Sequence, residues 1–300
     1  MVLFIMFSGC LIRSESIMVD GVERTYMIHV PRSYDGVEPV SLVVVFHGGG
    51  GNGRNIQETS DFNKKADDEG FIVVYPQGSG KFDNFLLTWN VGFCCGYAYE
   101  NQIDDIRFVR VLIEDIKSRY VINDSRIYAT GISNGGMMTY RIGAELEDIF
   151  AAITPIAASI GGQATEQEII WRIPEPTEPV SAIIFHGMND TRVPYGGGRP
   201  TANDTKGAYN YVSVNESIAF WVEHNRCSNM PSRNISASGN VICDVFTDGD
   251  NDTDVVLYTI VDGGHTWPGG RQGRKEGDIP TDEISATDLM WDFFKEHPKS

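Results

Sequence analysis

Four apolar runs break up the chain without the polar alternation of a half-exposed strand. They are SLVVVF (41–46), FIVVYP (71–76), FAAITPIAA (150–158) and SAIIFHG (181–187). Each is too short to cross a bilayer as a helix. Each is bounded by glycine or polar turn residues, so each fits a strand buried on both faces. Between the runs lie helical patterns. Residues 56–70 read as one surface helix stopped by Gly70. Residues 103–120 carry Ile106, Val109, Ile113, Ile116 and Tyr120 at helical spacing, with Asp104 and Asp105 as charges at the favourable N-terminal end. Residues 134–146, 213–225 and 285–297 read as further helices. Apolar strands alternating with helices predict an α/β fold: a mostly parallel central sheet with helices on both faces. RTYMIHVP (24–31) alternates, which suggests an antiparallel edge strand, and residues 241–247 and 254–264 suggest a strand pair around an Asp/Asn-rich turn. No linker or repeat divides the chain, so residues 16–300 are expected to form one domain.

Strand ends are where such sheets place their chemistry. Another strand, RIYAT (126–130), is followed by Gly131-Ile132-Ser133-Asn134-Gly135, a G-x-S-x-G pentapeptide that then enters a helix. The pentapeptide alone could be a helix cap; strand before and helix after give it the context of a nucleophile turn. Two more strand ends carry the other residue types that serine hydrolysis needs: Asp190 after SAIIFHGMN, and His265 after DVVLYTIVDGG. A serine hydroxyl needs a base to take its proton, and a carboxylate on the far imidazole nitrogen fixes the tautomer of that base. The order Ser133, Asp190, His265 is that of α/β-hydrolases. His47-Gly48-Gly49-Gly50-Gly51 follows the first buried run and offers flexible backbone, so Gly49 and Asn134 are the expected oxyanion donors. His47 and His186 precede glycine turns and read as structural. Trp267, Tyr195 and Trp89 are candidates for the substrate cleft.

Other motifs carry less. TDGDNDTD (247–254) lacks the glycine and glutamate of a calcium loop and reads as a hairpin turn. Residues 48–51 lack the Lys-Ser/Thr of a phosphate loop. No Cys/His cluster suggests a metal, and the chemistry above requires no cofactor. A net charge of -17 argues against nucleic-acid and anionic-membrane partners.

The first ten residues, MVLFIMFSGC, are apolar and end in small residues. With no positively charged residues before the apolar run, residues 1–15 read as a truncated secretory signal or lipoprotein segment, with Cys10 a candidate lipid anchor and the protein extracellular, or else as an ordinary apolar N-terminus. Of the remaining cysteines, Cys227 ends a helical pattern and Cys243 sits in a strand soon after, so a Cys227–Cys243 disulfide is expected. Cys94 and Cys95, being adjacent, could bond to each other or stay as buried thiols.

HGGGGNG, FIVVYPQG, WNVGFCCG, IDDIRFV, YATGISNGGMM, HGMNDTRVPYGGG and GGHTWPGG, in this order, resemble the polyhydroxybutyrate depolymerase/feruloyl esterase group of α/β-hydrolases, which overlaps carbohydrate esterase family 1. The resemblance covers nearly all of the chain after residue 18. It implies an α/β-hydrolase fold with Ser133 as nucleophile, Asp190 as acid and His265 as base. It also implies esterase activity on acyl groups of plant polysaccharide, with feruloyl or acetyl esters of xylan first and a polyhydroxyalkanoate second. From another class, a non-catalytic binding protein on the same scaffold is the rival, and the complete triad argues against it.

Overall fold

The computed structural model describes residues 13–82, 85–203, 209–273 and 276–299. Cys10, the candidate lipid anchor, lies outside them. Two antiparallel strands open the fold, β1 (Arg13–Val19) and β2 (Val22–His29), so the sheet already includes residues 13–15. β3 (Val40–Phe46) follows, then the short helices α1 (Gly53–Ser60) and α2 (Phe62–Glu69) and strand β4 (Ile72–Pro76). The single helix expected over 56–70 is two, because Asp61 between them takes a left-handed φ of 56°. After α3 (Gly96–Glu100) and α4 (Asp105–Arg119) come β5 (Ile122–Ile132), α5 (Asn134–Glu145) and β6 (Ala152–Ile156). The polar stretch beyond supplies β7 (Gly161–Gln163) and β8 (Trp171–Arg172) before β9 (Ser181–Gly187). The chain ends with β10 (Asn210–Tyr211), α6 (Val214–His224), β11 (Ser232–Ile235), β12 (Val241–Phe246), β13 (Val255–Ile260) and α7 (Ala286–Glu296).

Ten strands form one sheet in the order β1-β2-β4-β3-β5-β6-β9-β13-β12-β11. From β4 to β13 neighbouring strands are parallel; β1 and β2 at one end, and β12 and β11 at the other, run antiparallel. The alternating strand β2 is thus second from the edge, covered by β1. β7, β8 and β10 make a separate small sheet.

The unbroken apolar runs follow from cover on both faces. Leu42, Val44 and Phe46 of β3 face a core layer with Phe108 and Leu112 of α4, Met138 of α5 and Trp221 of α6. Val43 and Val45 face the other layer, with Phe62 of α2 and Met290 and Phe294 of α7. Period-two side chains therefore meet apolar partners at every position.

Asp105 is an acidic residue of the first turn of α4, as its position suggested, but it is more than a helix-end charge. Asp104 is the N-cap of α4 and accepts from the Arg107 N–H at 2.9 Å. Asp105 is fully buried, accepts from Arg24 Nη2 at 2.7 Å and from the Asn90 N–H at 2.8 Å, and ties the loop before α3 to β2. Arg24 in turn lies over the Phe108 ring, 3.9 Å from its centroid.

Candidate active site

The three strands whose ends carry Ser133, Asp190 and His265 are β5, β9 and β13, all within the parallel region. Ser133 stands between β5 and α5 with φ 60° and ψ −126°, a conformation a side-chain-bearing residue adopts only under constraint. The constraint is visible in the flanking glycines. A Cβ at Gly131 would come within 2.6 Å of the Gly135 carbonyl oxygen and 2.8 Å of that of Phe46, and one at Gly135 would collide with the Phe46 and His47 carbonyls. The pentapeptide glycines are therefore set by how closely the turn passes the end of β3. The Ser133 N–H donates to the Ile156 carbonyl at 2.9 Å, which fixes the turn to β6.

The glycine loop after β3 runs beside this turn. A Cβ on Gly48 would stand 3.5 Å from the Ser133 Cβ, and one on Gly49 3.5 Å from the Asn134 Cβ. The Asn134 side chain is already committed: its Oδ1 accepts from the Trp89 N–H at 2.8 Å and its Nδ2 donates to the Trp89 carbonyl at 3.0 Å. Among the described residues the backbone N–H groups of Gly49 and Asn134 have no acceptor.

Asp190 and His265 meet directly. Asp190 Oδ2 and His265 Nδ1 are 2.7 Å apart, and Asp190 Oδ1 accepts from the backbone N–H groups of Arg192 at 2.8 Å and Val193 at 2.9 Å. Burial pulls the Asp190 carboxyl toward protonation, but the His265 ring, the contact with His186 and these donors together hold it below the ordinary carboxylate value. His265 is held from its other side, its backbone N–H donating to Asp278 Oδ2 at 2.7 Å.

His47 and His186, which precede the glycine turns, are bound to neighbouring backbone, and His47 also lines the cleft beside Ser133. His47 is buried; its Nε2 accepts from the Gly78 N–H at 3.0 Å and its Nδ1 donates to the Gly48 carbonyl at 2.8 Å. Burial pushes its pKa down to about 4, which keeps it neutral. His186 donates from Nε2 to the Val193 carbonyl at 2.8 Å, and burial lowers its pKa too.

Ser133, Asn134, Gly49 and His265 line one cleft of about 620 Å³. The aromatic candidates fare less well. Trp267 reaches the cleft wall, but its ring is buried against Phe62 and its Nε1 donates to Thr287 Oγ1 at 3.0 Å. Trp89 is fully buried and donates from Nε1 to the His47 carbonyl at 3.0 Å, so it braces the glycine loop and does not line the cleft. Tyr195 belongs to a different groove, between α6 and β12, and its hydroxyl meets Thr259 Oγ1 at 3.0 Å. The aromatic rings that do line the cleft beside Trp267 are Tyr209 and Tyr211, together with Cys95, Met137, Arg271 and Asp278. Met137 had a usable signal, since it lies one helical turn after Ser133. Tyr209 and Asp278 sit in loops with no periodicity to mark them.

The expected Cys227–Cys243 disulfide is absent: both are free thiols, and Cys94 is bonded to Cys95. Cys227 is buried in the core layer that includes Trp221, while Cys243 on β12 packs into the opposite layer. The sheet stands between them. Asp250 of the acidic turn pairs with Arg226 at 2.9 Å.

Residues 24–171 match the family model Esterase PHB depolymerase. The chain is 28% identical to Feruloyl esterase B of Piromyces equi over 251 residues, covering 83% of this chain and 44% of that protein. It thus spans under half the length of that relative. It is 25% identical to Feruloyl esterase C of Emericella nidulans over 272 residues, covering 90% of this chain and 83% of that protein. An acetyl xylan esterase from Aspergillus awamori superposes with a TM-score of 0.63 at 15% identity, covering 94% of this chain and 99% of that one. The ten-stranded, mostly parallel sheet with its helices is accordingly an α/β fold shared with that structure.

Proposed function

We propose, for a chain whose residues 24–171 match the Esterase PHB depolymerase family model, that it is a serine esterase working through an acyl-enzyme. The observation that carries the reading is the 2.7 Å contact of His265 Nδ1 with a buried, ionised Asp190, in a cleft that also holds Ser133 on its constrained turn. With the Nδ1–H of His265 donating to Asp190, Nε2 of His265 is the free base. It takes the Ser133 hydroxyl proton as Oγ attacks the ester carbonyl carbon. The oxyanion is received by the N–H groups of Gly49 and Asn134. Collapse breaks the bond to the alcohol, which leaves with the proton from His265. Water then repeats the sequence on the acyl-enzyme, giving the free acid and restoring Ser133.

The substrate reading is an ester of plant xylan, feruloyl or acetyl, as the names of the relatives suggest; a polyhydroxyalkanoate is the second reading, favoured by the family description. Export is part of the same proposal. A cysteine-to-cysteine bond fits an oxidising compartment, and no helix among the described residues is long and apolar enough to cross a membrane. Labelling by a fluorophosphonate probe, followed by turnover of methyl ferulate, acetylated xylan and short polyhydroxybutyrate, tests both levels. Absence of labelling at Ser133 overturns the esterase; the fastest substrate decides the class.

A further inference from the structure

We propose that the Cys94–Cys95 disulfide is a built wall of the acyl pocket and selects esters of flat aromatic acids over acetyl esters. The inference rests on the serine esterase reading and concerns the same cleft. Cys95, Met137, Tyr209 and Tyr211 all line the cleft, and all pack with the core layer on the α5 side of the sheet. The opposite wall, with Ile56 and Trp267, belongs to the other layer. One flank of the cleft is therefore built from Cys95, Met137 and the two tyrosines, with Cys94 buried behind them.

This flank is fixed to the nucleophile by short links. Cys94 Sγ lies 3.9 Å from Met137 Sδ, and the Met137 N–H donates to the Ser133 carbonyl at 2.8 Å. The Cys95 N–H donates to the Trp89 carbonyl at 3.4 Å, the same carbonyl that receives Asn134 Nδ2. The Val91 N–H donates to the Cys94 carbonyl at 2.8 Å. The disulfide is thus tied to residues 133 and 134 along two routes.

The tyrosines are tied to it as well. Phe93, next to Cys94, meets Tyr209 and Tyr211 edge-on with ring centroids 6.1 and 6.0 Å away, and the two tyrosine rings are 6.4 Å apart. Burial raises the pKa of both phenols, so both rings stay neutral. Polarizable sulfur and neutral aromatic faces attract a planar ring and gain nothing from a methyl group. A hydroxycinnamoyl group fills such a wall, whereas an acetyl group leaves it unused.

The test compares 4-nitrophenyl ferulate with 4-nitrophenyl acetate, which share a leaving group and differ only in the acyl part. Fluorophosphonate labelling of the wild type comes first; if Ser133 is not labelled, the esterase reading itself falls. Given labelling, Cys94→Ala/Cys95→Ala is expected to lower the ferulate-to-acetate ratio of kcat/KM by about tenfold, mostly through KM for the ferulate. If both esters lose the same factor, the disulfide is only a brace and the inference is overturned. Should the double variant not fold, Tyr209→Leu removes a ring from the same wall. The ratio is expected to fall there too, and an unchanged ratio overturns the proposal.

Discussion

The side-chain amide of Asn134 is paired through both its oxygen and its nitrogen with the backbone of Trp89, as though Trp89 had found a second strand. This bond pair holds the loop of Trp89 against the residue that follows Ser133. Both partners are buried, so water does not replace the amide; the Trp89 carbonyl keeps the Cys95 N–H at 3.4 Å, but the Trp89 N–H has no other acceptor among the described residues. Asn134→Ala is expected to cost about 1–3 kcal/mol, one buried N–H left unsatisfied. It should also lower kcat, although the backbone N–H at 134 survives. Urea denaturation with ester kinetics reads both; an unmoved midpoint would show that water reaches Trp89.

At the neighbouring position stability and activity should part. Ser133→Ala is expected to lower kcat by about a million-fold, as loss of a triad nucleophile does. Ser133→Gly should be equally inactive yet more stable than the alanine variant by about 1–2 kcal/mol, because glycine accepts a φ of 60° without the Cβ conflict. Thermal unfolding of the two inactive proteins side by side is the measurement, and equal midpoints would deny the strain.

A buried ion pair gives a third expectation. Arg24 and Asp105 are both buried and 2.7 Å apart. Asp105→Ala leaves the guanidinium without its partner and is expected to cost about 3–5 kcal/mol, far more than a surface pair. Asp104→Ala, one residue earlier, removes only a helix cap, at about 1 kcal/mol. Denaturant midpoints of the two variants should differ in that order.

His47 predicts the response to acid. Its folded pKa of about 4 lies below the value near 6.5 of an unfolded histidine. Between those values the unfolded chain binds the proton more readily. The contribution is therefore complete above about pH 6.5 and is lost as pH falls toward 4, to a total on the order of 3 kcal/mol. His47→Gln should flatten that part of the stability curve while lowering stability at neutral pH. A wild-type-like slope between pH 4 and 6.5 in the variant would assign the effect to another group.

Thiol chemistry checks the cysteine arrangement. Alkylation of unfolded, unreduced protein is expected to modify Cys227 and Cys243 and to spare Cys94 and Cys95, read by peptide mass mapping. A Cys227–Cys243 peptide would contradict the opposite-face placement.

The parts of the fold readable in advance were those fixed by local pattern. β3 announces burial on both faces by its run of valines, and the turn at Ser133 announces itself by glycines that nothing larger can replace. The order of Ser133, Asp190 and His265 along the chain was enough to bring together an acid and a base that lie 75 residues apart. What escaped was decided by tertiary neighbours. Trp89 looked like a cleft aromatic because tryptophan suits ligands, but its place was set by Asn134 and His47. Cys227 and Cys243 are close in sequence, and only the sheet between them forbids the bond. Asp105 reads as a helix-end charge until Arg24, 81 residues earlier, is placed beside it.

The placement of Ser133, Asp190 and His265 on β5, β9 and β13 has a kinetic side. In the sheet order these strands are joined through β6, and β13 also carries the antiparallel pair β12 and β11. A chain renaturing from denaturant can regain its helices while β13 is still undocked. It cannot then form the cleft that Ser133 and His265 share, since that cleft requires four neighbouring strands in register across distant stretches of sequence. Parallel pairing of this kind closes long loops and is slow. Recovered ester hydrolysis should therefore trail the recovery of far-ultraviolet circular dichroism, so that turnover serves as a clock for the last long-range step of assembly.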